Sequence, residues 1–359
     1  MILAYITCIV ALFFAMNIGA SGAAASISIA YGSGAIPSRR KALFLCGIAI
    51  FAGAALGGSE VVKTIGTDII PQSLLTVKAV LIILSSAALS LFIANLMGIP
   101  LSTSEITVGS VVGVGIAYQA LYIHNILVIV SFWIIVPAAG FTIALLLGKL
   151  IKKLEKQYPG LKNEKMQKTL AVFVIIVGFF EAFSAGMNNV ANAVGPLVGA
   201  GIVPIHTGIL IGGLFIALGA IWMGGGVLQT NGKKITNFSL LEGGAISGTG
   251  AFLVILASIY GLPVPLTQVT STAIIGIGAS HNGLGILKKK IINKILKVWI
   301  VSPIVSLVIS YSFVKMFVES DLYSVIVLFS VCAATLGTLS LAKTIREDNR
   351  IIYEKGGGI

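Results

Sequence analysis

The chain carries a succession of apolar runs, each close to the roughly 20 residues that a helix needs to cross a bilayer. They cover residues 1–36, 42–58, 73–97, 99–118 and 126–150, then 169–203, 206–224, 240–260, 263–282, 291–314 and 322–342. Only 10% of the 359 residues are charged and 57% are hydrophobic, where a soluble domain averages roughly 25% charged. An ordinary cytosolic globule and a disordered chain are therefore excluded. Alternating ten-residue barrel strands are absent, which leaves an all-α polytopic membrane protein.

A net charge of +12 invites a nucleic-acid reading, but the basic residues sit between the runs. Seven lie from Lys149 to Lys168, five from Lys288 to Lys297, three at Arg39, Arg40 and Lys41, and four from Lys343 onward. Short basic connections are the positive-inside pattern of cytoplasmic loops, so the surplus reports topology, and no nucleic-acid partner is expected. Cys8, Cys46 and Cys332 stand alone in apolar runs, without metal-ligand spacing. No metal and no cofactor are expected. Met1 leads straight into apolar sequence without the basic start or small-residue cleavage site of a signal peptide.

The chain repeats itself. Gly34-Ala-Ile-Pro37 recurs as Gly201-Ile-Val-Pro204, and Val62-Lys-Thr64 with Gly66 as Leu228-Gln-Thr230 with Gly232. Pro100-Leu-Ser-Thr-Ser-Glu-Ile-Thr107 returns as Pro263-Val-Pro-Leu-Thr-Gln-Val-Thr270, and Trp133-Ile-Ile-Val-Pro137 as Trp299-Ile-Val-Ser-Pro303. Four matches in order, at separations of 163 to 167 residues, define two homologous halves. In each pair of corresponding connections only one member is basic. Arg39 to Lys41 match the neutral loop at Pro204 to His206, Lys288 to Lys290 match His124 and Asn125, and Lys233 and Lys234 match Thr67 and Asp68. The halves are thus expected to be inverted, a plan shared by many secondary transporters. The division is 1–151, first repeat; 152–168, cytoplasmic linker; 169–314, second repeat; and 315–359, an extra transmembrane helix and tail. Parity puts the N-terminus outside and the C-terminus in the cytoplasm of a multi-pass protein of the plasma membrane.

Two units per half depart from plain spans. Met16 to Ser26, rich in glycine and serine, corresponds to Ala185 to Pro196, where Asn188, Asn189 and Asn192 are costly at membrane depth unless they face protein or a wet cavity. In the second pair, Pro100 to Gly115 and Pro263 to Gly278, a proline and a hydroxyl or amide cluster open a short helix. All four are expected to be discontinuous, re-entrant helices meeting at a midplane site. Such helix ends present unpaired N–H groups and a partial positive charge, which suits an oxyanion. Ser21, Ser102, Thr103, Ser104, Asn188, Asn189, Asn192, Thr267 and Gln268 are the candidate substrate-binding residues. No lysine or arginine lies in these segments.

At these residues the chain resembles the inorganic phosphate transporter (PiT) family, whose halves each carry Gly-Ala-Asn-Asp-Val-Ala-Asn and Pro-Val-Ser-Thr-Thr-His. Here the first signature reads Gly186-Met-Asn-Asn-Val-Ala-Asn192 in one half and is eroded to Gly19-Ala-Ser-Gly-Ala-Ala-Ala25 in the other. The second reads Pro100-Leu-Ser-Thr-Ser-Glu105 and Pro263-Val-Pro-Leu-Thr-Gln268. The match covers about residues 15 to 310. The family aspartates, which the resemblance assigns to sodium, are Gly22 and Asn189, and the family histidines are Glu105 and Gln268. Together with Ala15 to Ser26 this wording is similar to the bacterial sulfate permease branch, of CysP type. The resemblance implies uptake of sulfate, with phosphate or another tetrahedral oxyanion as the alternative. Protons are the expected coupling ion in place of sodium, and a homodimer is compatible with it.

Sulfate only accepts hydrogen bonds, whereas phosphate at neutral pH keeps a proton that is best met by an acceptor. A donor set without a carboxylate favours sulfate. Moving a dianion inward against an inside-negative potential costs about 4.6 kcal/mol per 100 mV, so at least two cations must accompany it. Glu105, Glu181, Glu60 and Glu242 are the candidate proton carriers, because carboxyls in apolar runs mark proton paths. Glu105 and Glu181 come first, since one is inside the motif and the other lies two turns before Asn188. Two rival classes remain. An enzyme would rest on Ser280 and His281 alone, and no catalytic residue is assigned. A channel would show unsaturable flux.

Overall fold

The computed structural model describes residues 1–96, 101–229, 238–283, 285 and 290–330; for 162, 282 and 290–298 the backbone alone is described. Pro100, Thr230, Gly232, Lys233, Lys234, Lys288, Lys289, Cys332, residues 331–342 of the last apolar run and the C-terminal basic cluster lie outside them. Every regular element among the described residues is helical. Among the described residues, eight stretches are long and apolar enough to cross a membrane.

The helices are α1 (Ile2–Ile18), α2 (Ser28–Gly32), α3 (Arg39–Gly57), α4 (Ser59–Thr67), α5 (Val77–Leu96), α6 (Thr103–Ala117), α7 (Ile123–Gln157) and α8 (Glu164–Gly199), followed by α9 (Ile205–Met223), α10 (Leu240–Ile259), α11 (Leu266–Asn282) and α12 (Lys290–Phe317). Local chemistry sets several boundaries. Ser38 caps α3, Ser102 caps α6, and Ser239 with Glu242 forms a capping box on α10. Gly34 and Gly201 take the left-handed φ of 81° and 67°, which L side chains resist. The duplicated Gly-x-x-Pro is therefore one turn used twice, into α3 and into α9.

The first expected interruption is present: α1 ends at Ile18, widens into a π-type turn at Gly19–Ala23, and resumes as α2. Its expected counterpart is not broken. Residues 185–196 run inside the unbroken 36-residue α8, so the backbone N–H groups of all but Pro196, which has none, are spent within the helix. Their asparagines are accommodated by side-chain partners, described below, rather than by unwinding. Much of the stretch 152–168 is also helical. The ends of α7 and α8 leave residues 158–163 between them, with one 3₁₀ turn at Pro159–Lys162. The amphipathic α4 was unforeseen; it buries Val61, Val62 and Ile65 and exposes Lys63. Helix α6 has 15 residues, roughly 22 Å at 1.5 Å per residue, too short for a hydrocarbon core of about 30 Å.

Helix α8 is the axle of the fold, buried almost continuously from Ser184 to Leu197, with α3, α4 and α10 packed along it and α11 packed on α7. Glycines let backbones touch, as close packing between membrane helices requires. A Cβ on Gly186 would strike the carbonyl of Ile50, and one on Gly19 the carbonyl of Ile216. Gly19 and Gly186 are 167 residues apart, Ile50 and Ile216 are 166. The same exchange holds for Gly53 on Phe183 and Gly219 on Met16, and again for Gly113 on Leu307 and Gly276 on Phe141. Each of these three contacts thus occurs twice, with the corresponding residues exchanged.

The chain divides into two compact units, Met1–Tyr311 and Ser312–Ile359. Within the second, Lys315 pairs with Glu319 at 2.5 Å, and Asp321 accepts the backbone N–H of Ser324 at 3.1 Å as a new helix begins.

Candidate functional site

Asn188, Asn189 and Asn192 fall on one side of α8, since Asn192 is four residues from Asn188 and three from Asn189, spacings that share a helical face. The first turn of α6 meets them. With Ser102 in extended backbone and its oxygen accepting the Glu105 N–H at 3.4 Å, Thr103 and Ser104 reach α8. The Thr103 hydroxyl donates to Asn189 Oδ1 at 2.9 Å. Asn188 Nδ2 donates to Ser104 Oγ at 3.0 Å and to the Val264 carbonyl at 2.9 Å, while its Oδ1 accepts the Val264 N–H at 3.1 Å. Asn192 Nδ2 lies 3.2 Å from Asn189 Oδ1, 3.3 Å from Thr103 Oγ1 and 3.4 Å from Ser104 Oγ. Val264 leads into α11, so the starts of α6 and α11 meet on the middle of α8. All five side chains of this network are buried.

Two polar atoms beside it lack partners. Asn192 Oδ1 and the Thr267 hydroxyl are buried without a hydrogen bond. Thr267, in the first turn of α11, adjoins the π-type turn: a Cβ on Gly22 would lie 3.9 Å from its methyl carbon. Ser21, in that turn, donates back to the Asn17 carbonyl at 2.9 Å, which occupies its hydrogen locally.

The four carboxyls separate into two kinds. Glu105, Glu181 and Glu242 are all buried, but only the first two have partners in the first turns of α11, beside the network. Gln268 donates its amide to Glu105 Oε1, and Thr270 its hydroxyl to Glu181 Oε1 at 2.8 Å; the second oxygen of each makes no hydrogen bond of full geometry, with the hydroxyls of Ser302 and Ser247 beside the two carboxyls. Glu60, by contrast, is exposed on α4 and paired with Lys63 at 2.7 Å. The hydrogen bond and charge of Lys63 hold its carboxyl below the ordinary range. Glu242 closes the capping box on the Ser239 N–H at 2.9 Å and also pairs with His281. The structure therefore sets Glu60 and Glu242 apart from the network, engaged in a surface ion pair and a helix cap. Among the described residues no three His, Cys, Asp or Glu side chains group as a metal site.

The model of the phosphate transporter family matches residues 18–310. The chain belongs to this family. It is 56% identical to the sulfate permease CysP of Bacillus subtilis, over 97% of this chain and 98% of that one. It is 30% identical to a putative phosphate permease of Pyrococcus abyssi, over 84% of this chain and 95% of that one. Among solved structures, a sodium-dependent phosphate transporter superposes with a TM-score of 0.75 at 25% identity, covering 89% of this chain and all of the other.

The protein is thus a multi-span transporter, and the one nucleophile–base pairing that the sequence offered is not formed. Ser280 donates to the Ile277 carbonyl at 2.7 Å, while His281 turns to Glu242. Sequence reading missed the backbone of Val264, which no side-chain pattern can reveal, and Thr270 as the partner of Glu181. It also missed Trp133, whose indole N–H donates to the Pro263 carbonyl at 2.9 Å and tethers the start of α11 to α7. The repeated tryptophan in Trp133-x-x-x-Pro137 and Trp299-x-x-x-Pro303 was the available signal.

Proposed function

We propose that this transporter imports sulfate across the plasma membrane in symport with protons, by alternating access around the network on α8. The observation that carries the reading is the convergence of Thr103, Ser104, Asn188, Asn189 and Asn192, buried and without a charged side chain among them. Rearranged around a dianion, these hydroxyls and amides supply donors, and sulfate needs only donors. The 56% identity to a sulfate permease supports the same substrate. Ser102, Thr267, Gln268 and Ser21 complete the proposed lining. A second reading, sodium- or proton-coupled phosphate uptake, is favoured by the family as a whole and by Asn192 Oδ1, an acceptor without a partner.

Glu105 and Glu181 are the proposed proton carriers, being uncharged-compatible groups buried close to the site. Gly22 and Asn189 stand where the resemblance puts sodium-binding aspartates, which speaks against sodium. Two inverted repeats, 1–151 and 169–314, joined by 152–168 and followed by 315–359, underlie the motion. The swapped glycine contacts support this plan, because a two-fold operation makes each contact between unlike surfaces occur twice. The N-terminus is assigned to the outside and the C-terminus to the cytoplasm.

The test is radiolabelled sulfate uptake by the purified protein in proteoliposomes. Saturable uptake driven by an inward proton gradient, indifferent to sodium and weakly inhibited by phosphate, is the expected result. Preferred uptake of phosphate, or an absolute need for sodium, overturns it.

A further inference from the structure

A crevice of about 800 Å³ opens between α6, α7, α11 and α12. Its walls are apolar, with Trp133 and Pro137 of α7 and Trp299 and Pro303 of α12 among them, and Glu105 and Gln268 are also part of its lining. Among the described residues that line it, Glu105 is the one ionisable side chain. Gln268 occupies one carboxyl oxygen, and Oε2 is buried beside the Ser302 hydroxyl without a hydrogen bond of full geometry. The tether from Trp133 to Pro263 holds one indole in place as a wall.

Apolar walls, two indoles and one unmet carboxylate oxygen define a ligand chemistry. A neutral hydrocarbon satisfies the walls and leaves Oε2 unmet; a carboxylic or phosphate anion is repelled whenever Glu105 is ionised. An apolar body bearing an ammonium group satisfies both, because its N–H meets the carboxylate and its charge is favoured beside an indole. The volume lies within the usual range for small-molecule sites. We propose that this crevice binds lipophilic ammonium compounds, with the ammonium on Glu105 Oε2 and the apolar body between Trp133 and Trp299. A bound ammonium keeps Glu105 ionised, and so arrests transport if Glu105 carries the coupling proton; that last step rests on the function proposed above.

The chain has three tryptophans, and the third, Trp222, is exposed on α9. A Trp222→Phe protein in lipid nanodiscs therefore reports from the crevice alone. Titration with 1-adamantylamine is expected to change the emission saturably, with 1-adamantanol at least tenfold weaker. Glu105→Gln removes this preference for the amine. Ala138→Phe, which fills the crevice from an exposed position on α7, weakens both ligands at least tenfold and serves even if Glu105→Gln fails to fold. Equal binding of amine and alcohol, or binding unaffected by Ala138→Phe, overturns the site. Binding that leaves sulfate uptake unchanged keeps the site and counts against Glu105 as the proton carrier.

Discussion

Gln268 donates its side-chain amide to Glu105, and the two residues hold the same place in the two copies of one motif, 163 residues apart. Such a meeting of equivalent positions is what the proposed inverted repeats would place near their common axis. The bond engages one carboxyl oxygen and leaves the other without a hydrogen bond of full geometry, so the pair survives a change in the protonation of Glu105. Replacing Glu105 by Gln keeps the shape and removes the proton. Uptake driven by a pH gradient is expected to vanish, while sulfate–sulfate exchange persists in part. Equal proton dependence in the variant and the parent would remove Glu105 from the mechanism.

Glu60 provides the contrast. It is exposed, and the adjacent Lys63 holds its carboxyl below the ordinary range, which favours the ionised form. An exposed ion pair of this kind is screened by solvent and contributes little. Glu60→Gln is expected to leave the rate and pH profile of uptake within about twofold of the parent, given that small energy.

The swapped glycine contacts predict paired energetics. A methyl group on Gly186 meets the Ile50 carbonyl, and one on Gly19 meets Ile216. Backbone atoms cannot turn aside as a flexible side chain does, so the helices must separate, at a typical overpacking cost of about 1–3 kcal/mol. Gly186→Ala and Gly19→Ala should each lower the thermal midpoint of the purified protein. Gly53→Ala and Gly219→Ala form a second matched pair. A large loss in one member with none in its counterpart would argue against a shared origin of the contacts.

How far the sequence reached depends on the kind of signal. The spans were legible because apolar length is a local property, and the motif residues because serine, threonine and asparagine are conspicuous in apolar runs. Helix α8 was misread for the same reason. Three asparagines look like a break when considered alone, and only the facing hydroxyls of Thr103 and Ser104 and the backbone of Val264 make an unbroken helix acceptable. Glu242 shows the converse: its pattern, Ser239 followed three residues later by a glutamate, is a helix-start signature, yet its place at the edge of an apolar run suggested a proton site. Contacts such as Trp133 with Pro263 depend on tertiary placement, which sequence spacing does not encode.

Asn188 joins the starts of α6 and α11 through its amide. An aspartate there cannot donate to the Val264 carbonyl and adds a negative charge to a proposed anion site. Leaving one buried polar group unmet costs about 1–3 kcal/mol, or roughly five- to 150-fold in affinity. Asn188→Asp should therefore weaken sulfate binding by at least that factor, measured by sulfate-dependent thermal stabilisation. Asn188→Ser, which keeps a donor but shortens the reach, should fall in between.

Sodium dependence tests the meaning of the lost carboxylates. Gly22 has room for a side chain, with Thr267 the nearest neighbour of a Cβ at 3.9 Å, while Asn189 is already held by Thr103 and Asn192. Hard cations are bound by carboxylate, hydroxyl and carbonyl oxygens, and the neutral network offers only the last two kinds. Restoring negative charge with Gly22→Asp and Asn189→Asp together should create a several-fold stimulation of uptake by sodium that the parent lacks. Each single change supplies one carboxylate and should give less. A well-folded double variant, equally active with sodium and without it, would mean that coupling in this chain is set elsewhere, with Glu181 and its Thr270 partner the next place to look.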